Sequence, residues 1–205
     1  MGPTTGEWRP MLWPGAQGGF ALWGEVLMTG VMMTVASLGV VTMPAAVAAG
    51  SRHLNAYLRA ERSEWAVFWR DVRAALPGGL GVGIAAVVLI AILAIDIQLA
   101  ATGLLPGASV IAAVGWLGLI ATAVVLLTAA GQWDPEAGWR AALMRALSQL
   151  RGDVGGAAYL AATVGFVGVC TWSLPALLIP ALGCAVLALV AIPARPRRPR
   201  GPRGE

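Results

Sequence analysis

The sequence predicts an all-α polytopic transmembrane helix bundle of five spans with two cytoplasmic amphipathic helices, and three observations carry that prediction. Hydrophobic residues make up 58% of the 205 and charged residues only 12%, with a mean hydropathy of +0.76; a water-soluble domain carries roughly 25% charged residues. The apolar residues fall in runs long enough to cross about 30 Å of hydrocarbon, for which a helix needs about 20 residues. The basic residues are fourteen arginines with no lysine, and they crowd the segments between the runs. A nucleic-acid reader gathers its basic residues on one folded face, so the lipid bilayer, and not nucleic acid, is the expected partner.

Residues 1–19 read as an extracytoplasmic N-terminal segment, ahead of a membrane domain over 20–192. Its first span, about 20–43, is "FALWGEVLMTGVMMTVASLGVVTM", with Glu25 its one charge. "AAVAAG" at 45–50 has the small residues of a signal-peptidase site, but the apolar stretch before it exceeds the roughly 7 to 15 residues of a signal peptide and contains Glu25. The run is therefore read as a span that is kept.

Residues 51–78 read as a cytoplasmic loop holding the first amphipathic helix. Trp65, Phe68, Trp69, Val72 and Leu76 follow the three-and-four spacing of one helical stripe, with Arg62, Arg70 and Arg73 around the other side. Such a helix lies in the membrane interface, and Pro77-Gly78-Gly79 is expected to end it and turn the chain into the second span, about 79–101. That span is interrupted only by Asp96 and Gln98; "TGLLPG" then turns the chain into the third, about 108–130, which carries no charge. The second amphipathic helix falls within 132–154, with a stripe of Trp139, Leu143, Ala146, Leu147 and Leu150.

From Gly155 to Ile192 there are 38 residues without a charge, enough for two crossings, about 155–172 and 175–192. The break belongs at "TWSLP", because Pro175 disfavours helix in the residue before it and Trp172 suits a water interface. Residues 193–205, rich in Pro, Arg and Gly, read as a disordered basic cytoplasmic tail. Five crossings put thirteen of the fourteen arginines on one side and leave Arg9 alone on the other. The positive-inside rule makes the crowded side cytoplasmic, giving a multi-pass protein of the bacterial plasma membrane with its N-terminus outside and its C-terminus in the cytoplasm.

Glu25 and Asp96 are the ionisable residues well inside apolar runs, and an intramembrane carboxylate is a functional candidate by default. With five spans both fall near the outer ends of adjacent helices, where, with Gln98 and Thr29, they would make an outward-facing polar site. No catalytic set, cofactor motif or metal spacing is legible. Cys170 and Cys184 sit in apolar surroundings as small hydrophobes, and His53 reads as a surface residue of a basic loop. Ala161 and Gly165 make a small-residue face suited to close helix packing. Trp69-Arg70 recurs as Trp139-Arg140, so the chain reads as a parallel duplication of cytoplasmic helix, turn and apolar hairpin. Trp65, Phe68, Trp69, Arg70, Trp139 and Arg140 are the candidate contacts with a partner or the interface.

The run "PAAVAAGSRHLNAYLRAERSEWAVFWRDVRAAL", an apolar hairpin, "QWDPEAGWRAALMRAL" and a second hairpin resemble the YesL-like family of bacterial integral membrane proteins over roughly residues 20–192. Family members more often carry a proline before the small-residue turn after the first span, whereas here Pro44 follows Thr42. The resemblance implies a non-catalytic membrane protein, an auxiliary or assembly component of solute uptake, carbohydrate included, working beside a membrane transport partner or as a homo-oligomer. It transfers no site residue. The rival expectation is a small oligomeric carrier or channel that uses Glu25 and Asp96.

Overall fold

A computed structural model describes residues 19–61, 64–103 and 107–194; within them the chain forms seven α-helices and no strand. The helices are α1 (Gly19–Ala36), α2 (Met43–Leu58), α3 (Trp65–Ala101), α4 (Ala108–Gly131), α5 (Gly138–Gly152), α6 (Val154–Ser173) and α7 (Leu178–Ala194), with short 3-10 turns at Val40–Thr42 and Pro175–Leu177. By length and composition α1, α3, α4, α6 and the run Pro175–Pro193 can each cross a membrane. Their flanks fit that medium: Ile84, Ile92 and Ile95 on α3 and Val110, Val114 and Leu117 on α4 are exposed, an apolar surface that lipid solvates and water does not. The N-terminal segment, Arg9, Arg62, the centre of the turn at 104–106 and the tail from 195 onward lie outside the described residues.

The first span is shorter than the expected 20–43. It stops at Ala36, and the Thr42 hydroxyl folds back to donate to the Ala36 carbonyl at 2.6 Å, satisfying an acceptor that the end of a helix leaves free. Pro44 then sits in the first turn of α2, where its missing N–H costs nothing. This helix was expected as loop, and it is the centre of the bundle: Ala45, Ala46, Ala48 and Ala49 are fully buried, and α2 packs on α1, α3, α4 and α7. The residues that resemble a cleavage site are what let four helices close around it, because small side chains allow near approach.

α2 runs antiparallel to α1. Gly50 faces Thr29 and Met33 and His53 reaches Glu25, so the chain returns to the end from which α1 set out. α7 is antiparallel to α1 as well, with backbones in direct contact: a Cβ on Gly30 would lie 2.2 Å from the Ile179 carbonyl oxygen, and one on Gly183 would lie 2.2 Å from that of Val26. The start of α1 and the end of α7 therefore share one end of the bundle, and Gly131 at the end of α4 joins them by facing Leu189. α1, α3, α4, α6 and the run Pro175–Pro193 keep the expected count of five candidate spans; α2 is a further helix of 16 residues, whose Ser51-Arg52-His53-Asn55 polarity reads as loop.

The expected break at Pro77-Gly78-Gly79 is also absent. Residues 65–101 are one helix that passes through Pro77, so the first amphipathic segment is the N-terminal part of α3, in line with the span and not lying across it. The second amphipathic helix is separate, as expected: α5 ends at Gly152, and the Asp153 side chain caps α6 by accepting from the Gly156 N–H at 2.9 Å. α6 ends at Ser173 and Pro175 opens a 3-10 turn, which places the division of 155–192 where the sequence puts it. Gly165 has nothing within 4 Å of a would-be Cβ, so the Ala161–Gly165 face is not a close helix contact within the chain; the glycine pair Gly30 and Gly183 fills that role.

Candidate functional site

The end of the bundle where α2 finishes, α3 begins and the α4–α5 loop crosses gathers the charged side chains that are not simply solvated. Arg52, near the C-terminus of α2, is the hub. Its Nε donates to Asp71 Oδ2 at 2.9 Å, a second guanidinium nitrogen lies 3.7 Å from Asp134 Oδ2, and the guanidinium sits 5.9 Å from the centre of the Trp133 ring. The Asp71 side chain is only 7% exposed, so its charge depends on Arg52 and on Arg70 Nε, 3.9 Å from its other oxygen. One guanidinium thus joins α2, α3 and the loop after α4, with a planar donor array suited to carboxylates.

One residue further on, His53 turns to α1. Its Nε2 lies 2.7 Å from Glu25 Oε1, and with a carboxylate as acceptor the imidazole is the donor. The ring is buried and meets Phe68 edge-on at 6.2 Å. On the other side of the ring Nδ1 has no partner, and neither has the hydroxyl of fully buried Thr29, one helical turn from Glu25. Thr34, Thr122, Thr128, Thr163 and Thr171 each return their hydroxyl to the carbonyl four residues back; Thr29 does not. A polar cluster of Glu25, Thr29 and His53 is therefore built into the α1–α2 contact.

α5 is fixed against α3 by Trp139. Its indole N–H donates to the Ala75 carbonyl at 2.8 Å, and its ring lies over Gly78 and Gly79, where added Cβ atoms would come within 2.5 and 3.2 Å of it. Trp133 stacks at a tilt on the same indole, with centroids 6.2 Å apart. The side-chain amide of Gln132 donates to that of Gln149, tying the end of α4 to α5. Pro77 removes one backbone donor from α3, yet the helix continues through it, with the indole bonded to Ala75 and its ring packed on the two glycines beside that point.

The expected site residues are thus redistributed. Glu25 and Asp96 do not form a common site: Glu25 pairs with His53 toward the arginine-rich end, whereas Asp96 and Gln98 are exposed near the opposite end of α3. The antiparallel return of α2 along α1 brings His53, and not Asp96, to Glu25. Of the aromatic contacts, Phe68 and Trp139 are buried, Trp69 is half-buried and packs edge-on against Phe68 at 5.3 Å, and Trp65 stays 54% exposed. Arg70 and Arg140 are exposed. His53 is a buried partner of Glu25 and not a surface residue. Arg52, Asp71 and Asp134 were not singled out from the sequence, although Asp71 lies one turn from both Phe68 and Ala75, on the buried stripe, where a carboxylate requires a cation.

Among the described residues no group of three or more His, Cys, Asp or Glu could hold a metal, and Cys170 and Cys184 are free thiols. Fold and site together define an all-helical, multi-pass membrane protein with a cross-braced arginine-rich end. No family model, no curated protein and no solved structure matches the chain.

Proposed function

We propose that the chain is a non-catalytic auxiliary component of a membrane solute-uptake system, whose arginine-rich end faces the cytoplasm and receives a partner. The observation that carries this reading is the way that end is built. α3 passes from it into the bundle without interruption, and Trp139 and Arg52 lock α5 and the α4–α5 loop onto α3. A connector needs only to link spans; a surface held rigid by a buried indole and a shared guanidinium is preorganised, which lowers the cost of binding. Arg59, Arg70, Arg73, Arg140, Arg145 and Arg151 stand exposed on it, arranged to meet an acidic protein surface beside anionic lipid headgroups.

In this orientation the start of α1 and the end of α7 both face the cytoplasm, on the side of the exposed arginines, which the positive-inside rule makes the inner one. The sequence pattern shared with YesL-like proteins supports an auxiliary role in a bacterial plasma membrane, and carbohydrate is the solute class it suggests. The test is affinity isolation of the full chain from its own membranes. Arg70→Glu and Arg140→Glu together, at unchanged membrane abundance, are expected to lose a co-purifying transport subunit that the unaltered chain retains. Equal recovery of that subunit, or its absence from both isolations, would overturn the docking role.

A further inference from the structure

A cavity of about 270 Å³ opens where α1, α2, α3, α4, α6 and α7 converge, and no residue that lines it has a polar side chain. Its space comes from small residues on adjoining walls, chiefly Ala86 on α3, Ala123 on α4 and Ala185 on α7. Its mouth is marked by lining residues that are also exposed: Val40 and Met43 at the turn into α2, and Val87 and Ile90 on α3. That turn lies at the end of α1 remote from the arginines, on a flank that meets the bilayer.

Such a space is not one that water fills. A buried water needs about two to four polar partners, and an apolar cavity of about 150 Å³ stays dry and takes up benzene or xenon. Left empty, the lining atoms lose dispersion contacts that a filled interior makes. The medium outside the mouth is hydrocarbon, present at the highest concentration of anything that could enter. Met33 on the wall and Met43 at the mouth are flexible and polarisable, suited to an irregular apolar occupant.

We propose that this cavity is an acyl-chain site, holding one hydrocarbon tail of a phospholipid drawn from the leaflet opposite the arginine-rich end, with its headgroup remaining at the membrane surface. The site welds six helices around a lipid, so the occupant completes the core.

The full chain is reconstituted in vesicles of phosphatidylethanolamine and phosphatidylglycerol that carry a tracer phosphatidylcholine with a photoreactive diazirine at mid-chain. Adducts are mapped by peptide mass spectrometry. They are expected to concentrate on the peptides that hold Met43, Val87 and Ile90. Ala123→Phe, which fills the cavity, is expected to cut them about tenfold, the factor that about 1.4 kcal/mol of lost binding produces. Ala86→Leu fills from the adjoining wall and serves where the phenylalanine variant does not fold. Adducts on a folded, filled variant at the unaltered level would overturn the proposal. So would labelling of the unaltered chain spread evenly over exposed positions such as Val110 and Val114, and that map decides the matter where neither variant folds.

Discussion

Three glycines on one helix separate a helix end at Pro77-Gly78-Gly79 from a seat for Trp139. Replacing a helix-interior glycine by alanine stabilises by about 0.5–1 kcal/mol where space allows, because glycine loses more backbone freedom on folding. Gly81 has nothing within 4 Å of a would-be Cβ, so Gly81→Ala is expected to gain that amount. At Gly79 the nearest atom would be 3.2 Å away and at Gly78 2.5 Å, in both cases on the Trp139 ring. Overpacking of a well-filled contact costs about 1–3 kcal/mol, and the clash at Gly78 is with Cδ1 of a rigid ring that also holds a hydrogen bond to Ala75. Set against the propensity gain, Gly78→Ala is expected to lose about 1–2 kcal/mol and Gly79→Ala to fall near zero. With Trp139→Ala in the background the clash is gone, and Gly78→Ala should change sign and stabilise by about 0.5–1 kcal/mol. Equilibrium unfolding of the unaltered chain and these five variants in mixed detergent micelles measures each value. If Gly78→Ala stabilises as much as Gly81→Ala, or its cost persists without the indole, the two glycines are not a seat and the reasoning fails.

Two further outcomes follow from the braced end. Arg52→Leu leaves the Asp71 carboxylate, 7% exposed, with Arg70 alone at 3.9 Å; breaking a buried pair costs about 3–5 kcal/mol, and since Arg52 is itself 38% exposed the expected loss is about 2 kcal/mol. Arg52→Leu combined with Asp71→Leu should recover most of that loss in the same unfolding assay, and strict additivity of the two single changes would show the pair to be uncoupled. In a background without Cys170 and Cys184, single cysteines at Gly19 and Ser148 should both resist an impermeant thiol reagent in intact cells while one at Gly103 reacts; labelling at Gly19 but not Ser148 would restore an outside N-terminus.

The spans were legible because length and hydropathy are local properties: α4, α6 and α7 lie where uncharged runs and the Pro175 break put them. α2 was not, because its burial comes from its neighbours and not from its own composition. "MPAAVAAGSRHLNAYL" is half alanine-rich and half polar; in isolation nothing distinguishes a helix wrapped by four others from a surface loop. That single omission hid the partner of Glu25 and made a surface residue of His53, which is buried against it. Pro77 misled for a related reason. Helix-breaking strength is a local average, and the indole that packs on Gly78 and Gly79 beside Pro77 lies 62 residues away in sequence.

The polar half of α2 explains why a central helix carries charge at all. Successive residues of an α-helix are turned by about 100°, so Arg52 and His53 cannot face the same neighbour, and they do not: Arg52 reaches α3 and the α4–α5 loop, His53 reaches α1. The alanine-rich half above them is smooth and would pack nearly as well after sliding or rotating by a residue, since Ala45, Ala46, Ala48 and Ala49 present almost the same surface at every register. Buried ion pairs add little net stability over apolar packing, and setting register is their best-attested use. Two adjacent polar contacts aimed at different helices fix both the rotation and the height of α2. Moving α2 by one position would bury Asp71 without Arg52 and strand Glu25 without His53, and each is a cost that no alanine contact returns. The charges therefore select one arrangement among several that the alanines alone would permit, and the same selection holds the arginine-rich end in its single shape.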